Sequence, residues 1–275
     1  MSLADWLRDA TTRLSVVSDT ARLDAELIAA FALGLTRQDM LLRLRDLSVP
    51  ERVEVLVERR LKQEPVAHII GTRDFWTISL SITPDVLIPR PDSETLIEAA
   101  VEHFAGEPGP RRVLDLGTGS GALLLAALDQ WPQATGIGID ISPRALSVAH
   151  GNARQLGMEA RTSFRQGDWA GALDERFDLV LCNPPYIATG ERLSPEVADH
   201  EPYGALFAGA DGLDCYRLLA PATRGLLAPG GVALFEIGHE QGEAVAALFA
   251  DEGFAPVVLP DLGARDRCVK LLAGN

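Results

Sequence analysis

Apolar residues along this chain keep a helical period first and an alternating one later. Over roughly the first 65 residues, Leu23, Leu27, Ile28 and Phe31 recur three and four apart, and Gly34 closes their segment. Thr36 followed by Asp39 resembles a capping box ahead of Met40, Leu41 and Leu44. After Pro50, Val53, Leu56, Val57 and Leu61 share one helical face, and Glu54, Glu58, Arg59 and Lys62 take the other. This patterning predicts a small all-helical domain over residues 1–65. It contains no chemical motif.

The period then changes. Trp76, Ile78, Leu80 and Ile82 alternate, and with Ile69-Ile70-Gly71 they predict a β-hairpin linker within residues 66–92. Pro84, Pro89 and Pro91 punctuate the chain, and Asp92-Ser93 stands where it can cap a helix over 94–104. From Arg112 onward the pattern predicts strands at 112–116, 135–140, 161–166, 177–182, 231–237, 254–259 and 266–272. Helices are predicted between them, near 121–130, 143–156, 213–227 and 240–252. Alternation of this kind implies an α/β domain over 93–275, a seven-stranded, mostly parallel sheet with helices on both faces. Only a short loop joins the last two strands, too short for a parallel crossover, so the final strand is expected to be antiparallel.

Composition narrows the function. The formal net charge is −14, nearly all of it carried beyond residue 70, and such a surface repels the phosphate backbone that supplies most nonspecific nucleic-acid affinity. Solubility explains the charge as well as attraction to a basic partner does. Cys182, Cys215 and Cys268 are scattered, and the five histidines lack ligand spacing. Neither a metal site nor a disulfide framework is therefore expected. No apolar run approaches a membrane span, and the start, MSLADWLRDA, lacks a basic leader. The expectation is a cytoplasmic protein, monomeric, with no direct nucleic-acid or membrane partner.

Two motifs carry chemistry. Val113-Leu114-Asp115-Leu116-Gly117-Thr118-Gly119-Ser120-Gly121 reads as a strand, a glycine-rich turn and the start of a helix. Glycines there permit tight turning and close approach of a ligand, although a bare βα turn accounts for them too. Asp140, about 20 residues on, ends the next strand where a carboxylate can accept both ribose hydroxyls or, more simply, cap a helix. Asp168-Trp169 offers a polar group and a flat ring at the end of the third strand, with burial in the core as the alternative for Trp169. The second motif, Asn183-Pro184-Pro185-Tyr186, follows the strand 177–182. A Pro-Pro turn can merely end a strand, but in open α/β sheets ligands bind beyond the carboxyl ends of the strands. A planar NH2 group is a poor nucleophile because its lone pair is delocalised. The Asn183 side-chain oxygen and the Pro184 carbonyl can accept its hydrogens, the prolines fix that carbonyl's direction, and Tyr186 can stack on the planar group.

The DLGTGSG turn resembles motif I of the class I, Rossmann-like methyltransferases, which implies S-adenosyl-L-methionine as cofactor and S-adenosyl-L-homocysteine as product. Three further stretches are Pro65 to Glu94, Glu196 to Arg217, and Phe235-Glu236-Ile237-Gly238 with Gln241. With NPPY they resemble the release-factor glutamine N5-methyltransferases along most of the chain. The resemblance implies methylation of the glutamine in the Gly-Gly-Gln motif of bacterial class 1 peptide chain release factors, modulating translation termination, with the helical domain docking that substrate. It assigns Gly117, Thr118, Gly119, Ser120, Gly121, Asp140, Trp169 and Asn183 to the cofactor and Asn183, Pro184, Pro185 and Tyr186 to the substrate, with Asn183, Pro184 and Tyr186 at the reaction. Asp92-Ser93-Glu94 stands where that family more often has Glu-Thr-Glu, and His200 where an aromatic is commoner. NPPY also suits adenine N6-methyltransferases of DNA or RNA, and a non-catalytic cofactor-binding protein is a third reading. Arg90 and Glu94 are placed to form a surface ion pair, Glu201 to order a loop, and Glu236 to do the same from a buried strand end.

Overall fold

The structure is a computed structural model that describes residues 2–169, 171 and 173–274. Five helices come first: α1 (Leu3–Leu14), α2 (Ala21–Leu33), α3 (Arg37–Leu42), α4 (Val53–Leu61) and α5 (Val66–Ile70). Strands β1 (Thr72–Phe75) and β2 (Ile78–Ser81) form a hairpin, and α6 (Glu94–His103) follows a 3-10 turn at Pro91–Ser93. Then come β3 (Arg112–Leu116), α7 (Ala122–Gln130), β4 (Thr135–Asp140), α8 (Pro143–Gln155), β5 (Thr162–Gln166), β6 (Phe177–Cys182) and α9 (Pro195–Ala198). The chain ends with α10 (Asp214–Leu226), β7 (Leu227–Glu236), α11 (Gly242–Asp251), β8 (Val257–Pro260) and β9 (Asp266–Leu272).

Two compact units result: residues 1–72 with 193–200, and residues 73–192 with 201–275. In the first, Ser2 caps α1 by accepting from the Asp5 amide, and Leu3, Trp6, Leu7, Ala10 and Leu14 form its buried stripe. Thr36 caps α3 through the Asp39 amide, as its sequence spacing implies. The buried face of α2 differs from the one expected. Ala21, Ala25, Ile28, Ala29 and Ala32 turn inward, whereas Leu23 and Phe31 are exposed. Small alanines let helices approach closely, and Phe31 is covered from outside by the Arg52 guanidinium, 5.4 Å from its ring centre. Ile69 and Ile70 also depart from expectation, lying in α5 rather than in the hairpin because left-handed Gly71 ends that helix. The helical unit therefore runs to residue 72, not 65, and gains 193–200.

The second unit is built on a seven-stranded sheet in the order β5-β4-β3-β6-β7-β9-β8. All neighbours are parallel except β7 with β9 and β9 with β8. The inner strands are buried on both faces and mostly apolar, as a sheet covered by helices requires. Strand β7 starts four residues earlier than expected, with a register shift against β6 where Gly230 takes a left-handed conformation. Strand order reverses between β3 and β6, so a crevice opens beyond their carboxyl ends. Trp76 is not a strand residue but sits in the hairpin turn with φ 53°. Its amide donates to Glu94.

Candidate active site

The crevice is a cleft of about 330 Å³ within the α/β unit. Gly117 and Gly119 line it from the end of β3, Asp140 to Ser142 from β4, Gly167 to Trp169 from β5, and Asn183 and Pro185 from β6. Its outer walls are residues 85–87 and 202–207.

Backbone geometry explains the glycines. Gly117, Gly119 and Gly121 all have positive φ, at 71°, 53° and 83°, where a side chain is strained. The turn is stitched to β4: the amides of Gly117 and Thr118 both donate to the Ile139 carbonyl at 2.9 Å. Asp140 holds two loops at once, accepting from the Gly119 amide and the Ser142 amide at 2.9 Å each. Ser142, not Asp140, caps α8. A Cβ on Gly117 would lie 3.5 Å from the Trp169 ring, so the indole closes over the turn. Trp169 itself has φ 51°, an uncommon conformation for a bulky residue that tends to gather at functional sites.

The remaining turn residues face inward. Thr118 donates to Asp115 Oδ2 at 2.6 Å, and the buried Ser120 carbonyl accepts from Asn152. Burial pushes the Asp115 carboxyl up to about 7, against the Thr118 hydrogen bond.

Asn183 follows β6 with its Nδ2 donating to Ser93 Oγ at 3.1 Å. Ser93 is buried and makes no side-chain cap to α6, correcting the capping role its sequence position suggests. Pro184 is buried and Pro185 reaches the cleft. The Tyr186 hydroxyl donates to Glu236 Oε1 at 3.4 Å, and its carbonyl accepts from Gln241 Nε2 at 2.9 Å. Gly212 leaves room for that carbonyl, since a Cβ there would lie 2.3 Å from it. Burial and then the Glu236 charge push the Tyr186 hydroxyl pKa well up. Arg90 does not pair with Glu94. It pairs with Glu201, whose other oxygen accepts from the Ile88 amide, so a buried carboxylate fastens one cleft wall to the other. The sequence marks Ser93 only as a helix cap, Gln241 only within the resemblance and Gly212 not individually, and their contacts with Asn183 and Tyr186 arise through the fold.

Residues 110–236 match a family described as a methyltransferase domain, and residues 5–71 match one described as the PrmC N-terminal domain. The release factor glutamine methyltransferase of Rhodospirillum rubrum is 46% identical over 264 residues, covering 94% of this chain and 81% of that protein. That of Cereibacter sphaeroides is 46% identical over 277 residues, covering 98% of each. The solved hMettl16 catalytic domain, in complex with an RNA hairpin, superposes with a TM-score of 0.58 at 14% identity over 82% of both chains, which shows a shared fold. By its identity to these relatives over nearly its whole length, the chain belongs to the release factor glutamine methyltransferase family.

Proposed function

We propose that this chain transfers a methyl group from S-adenosylmethionine to the side-chain N5 of the glutamine in the Gly-Gly-Gln motif of class 1 peptide chain release factors. The observation that carries the reading is the Asn183 amide. Its nitrogen is engaged by Ser93, which leaves its oxygen as an acceptor beside a glycine-floored cleft in a chain of this family. The cleft fits the cofactor: a turn that presents only glycines to it, a carboxylate at the end of β4 and an indole near the end of β5. In this reading Gly117, Gly119 and the turn around them border the methionyl part, Asp140 accepts from the ribose, and Trp169 packs near the adenine.

When bound, the cofactor supplies an electrophilic methyl group on a good sulfonium leaving group. The chain's own part is to orient and polarise. Asn183 Oδ1 and the Pro184 carbonyl accept the two N–H groups of the glutamine amide, turning nitrogen lone-pair density toward the methyl. Pro185 keeps the Pro184 carbonyl from swinging. Tyr186, tied at its hydroxyl and its carbonyl, walls the substrate pocket. The accepted protons include the one released to solvent after transfer.

The helical unit we assign to substrate docking. It matches a domain characteristic of this family, whereas the α/β unit matches a general methyltransferase domain. Replacing its exposed Val16, Leu42 and Val55 together by serine should raise KM for release factor and leave cofactor affinity unchanged. For the reaction itself, purified protein is given labelled cofactor with wild-type release factor, the Gln→Ala variant of its loop, or DNA. Label is expected on the wild-type factor alone. Equal labelling of both factors overturns the assignment, and preferential labelling of DNA replaces it with adenine methylation.

A further inference from the structure

Beneath the NPPY turn lies a buried group that the reaction above does not use. Glu236 ends β7 with almost no exposure. Its Oε1 accepts from Tyr186, but Oε2 is buried with no hydrogen-bond partner among the described residues. The backbone at this point is fixed, because the Tyr216 hydroxyl donates to the Glu236 carbonyl at 2.7 Å. Burial drives the carboxyl up to about 7, and the Ser93 hydroxyl is the first influence opposing that rise. Ser93 is the residue that accepts from Asn183 Nδ2.

We propose that Glu236 and Ser93 are positioning residues that set which edge of the Asn183 amide faces the methyl acceptor. The proposal rests on the glutamine-methylation reading above. A serine hydroxyl has one proton and two lone pairs. An ionised Glu236 draws that proton, since a buried carboxylate oxygen left without a donor is costly. Ser93 Oγ then presents a lone pair, and only the nitrogen edge of Asn183 can satisfy it. The oxygen edge is thereby turned to the substrate. A protonated Glu236 reverses the chain: its own O–H donates to Ser93, the serine proton swings to Asn183, and the amide is favoured with its nitrogen toward the substrate. Such an amide cannot accept from the glutamine NH2. One carboxyl thus orders both ends of the tetrapeptide, Tyr186 directly and Asn183 through Ser93.

The ionisable groups facing Glu236 are Asp92, Arg267, Tyr186, Tyr216, Cys182 and Cys268. Burial raises the pKa of both tyrosines and both cysteines, so these four stay neutral around pH 7. Asp92 and Arg267 form an ion pair at 3.0 Å. Glu236, held at about 7, changes state near neutrality. Turnover should fall as pH drops through about 7.

The test begins with wild-type turnover on release factor, whose absence would overturn the proposed function itself. With turnover present, Ser93→Ala should lower kcat about tenfold or more while cofactor Kd stays within about twofold. Ser93→Thr, which keeps the hydroxyl, should restore most of the rate. Glu236→Gln should lower kcat similarly at pH 8, remove the acid limb of the pH profile that this residue causes, and add little to Ser93→Ala in the double variant. A folded Ser93→Ala enzyme with wild-type kcat overturns the inference, and so does a Ser93→Thr enzyme as slow as Ser93→Ala. If Glu236→Gln does not fold, the two serine variants decide alone.

Discussion

In the helical unit, buried acids meet arginines. Asp24 accepts from Arg60 at 2.7 Å, the same arginine reaches Glu196 at 2.9 Å, and Glu26 accepts from both Arg22 and Arg37. In the α/β unit, the acids under the cleft meet hydroxyls instead: Asp115 has Thr118, and Glu236 has Tyr186. Burial lifts both of these carboxyls to about 7. Glu201, a buried acid of the α/β unit paired with Arg90, fastens a cleft wall and is closer in kind to Asp24. The difference separates two uses of buried charge. An acid paired with a guanidinium is held in place by a charged partner, whereas one paired with a hydroxyl can change protonation and pass the change to its neighbours.

The largest effect should come from breaking a fixed pair. Arg60→Ala leaves Asp24 buried and uncompensated, and should cost the helical unit about 3–5 kcal/mol in urea unfolding. A loss below 1 kcal/mol would mean that water reaches Asp24 and that the contrast between the units is false. Next comes the reaction centre. Asn183→Ala should lower turnover by a factor of about 10² or more with little change in Tm, since it removes an oriented acceptor and little packing. A folded variant near the wild-type rate would dispose of the polarisation.

Acids held neutral also make stability depend on pH. The Glu236 carboxyl rises from 4.5 to about 7 on folding, so between those values the native state holds a proton that the unfolded state has released. Stability from this source is full below about pH 4.5 and is lost as pH rises through about 7. The loss is about 3 kcal/mol. Glu236→Gln cannot ionise, so wild type should lose stability relative to that variant from pH 5 to 8. A constant difference across that range would show that Glu236 is not held neutral. Combined with the proposed need for an ionised Glu236 in turnover, the site would work best where this residue stabilises the fold least.

Much of this was legible in the sequence wherever partners are near in the chain or follow from βα order. DLGTGSG, Asp140, Trp169 and Asn183 were placed correctly at strand ends because a parallel sheet brings the carboxyl ends of its strands together. Ser93 with Asn183, Gln241 with Tyr186 and Arg90 with Glu201 were not, being 90, 55 and 111 residues apart. Nothing local marks such pairs, since their meeting is a property of topology. The misread face of α2 has a different cause: alanines weigh little in a hydrophobic pattern, yet close helix contact selects them.

Asp140 offers the smallest effect and a fine discrimination, because its carboxylate already has two partners. Its oxygens accept from the amides of Gly119 and Ser142, so it orders the glycine turn whether or not it meets a ribose. Each oxygen keeps a further lone pair, which is what accepting ribose hydroxyls requires. Asp140→Ala should weaken cofactor binding by about 1–3 kcal/mol, the scale of hydrogen bonds to a charged acceptor. Asp140→Asn retains one oxygen and can hold one of the two amides, so it separates the roles. If the residue mainly orders the turn, calorimetry should place Asp140→Asn near wild type in affinity and Asp140→Ala well below it. If the charge itself holds the ribose, both variants should weaken comparably. Unchanged affinity in both would leave Asp140 as a loop brace alone and remove it from the cofactor site.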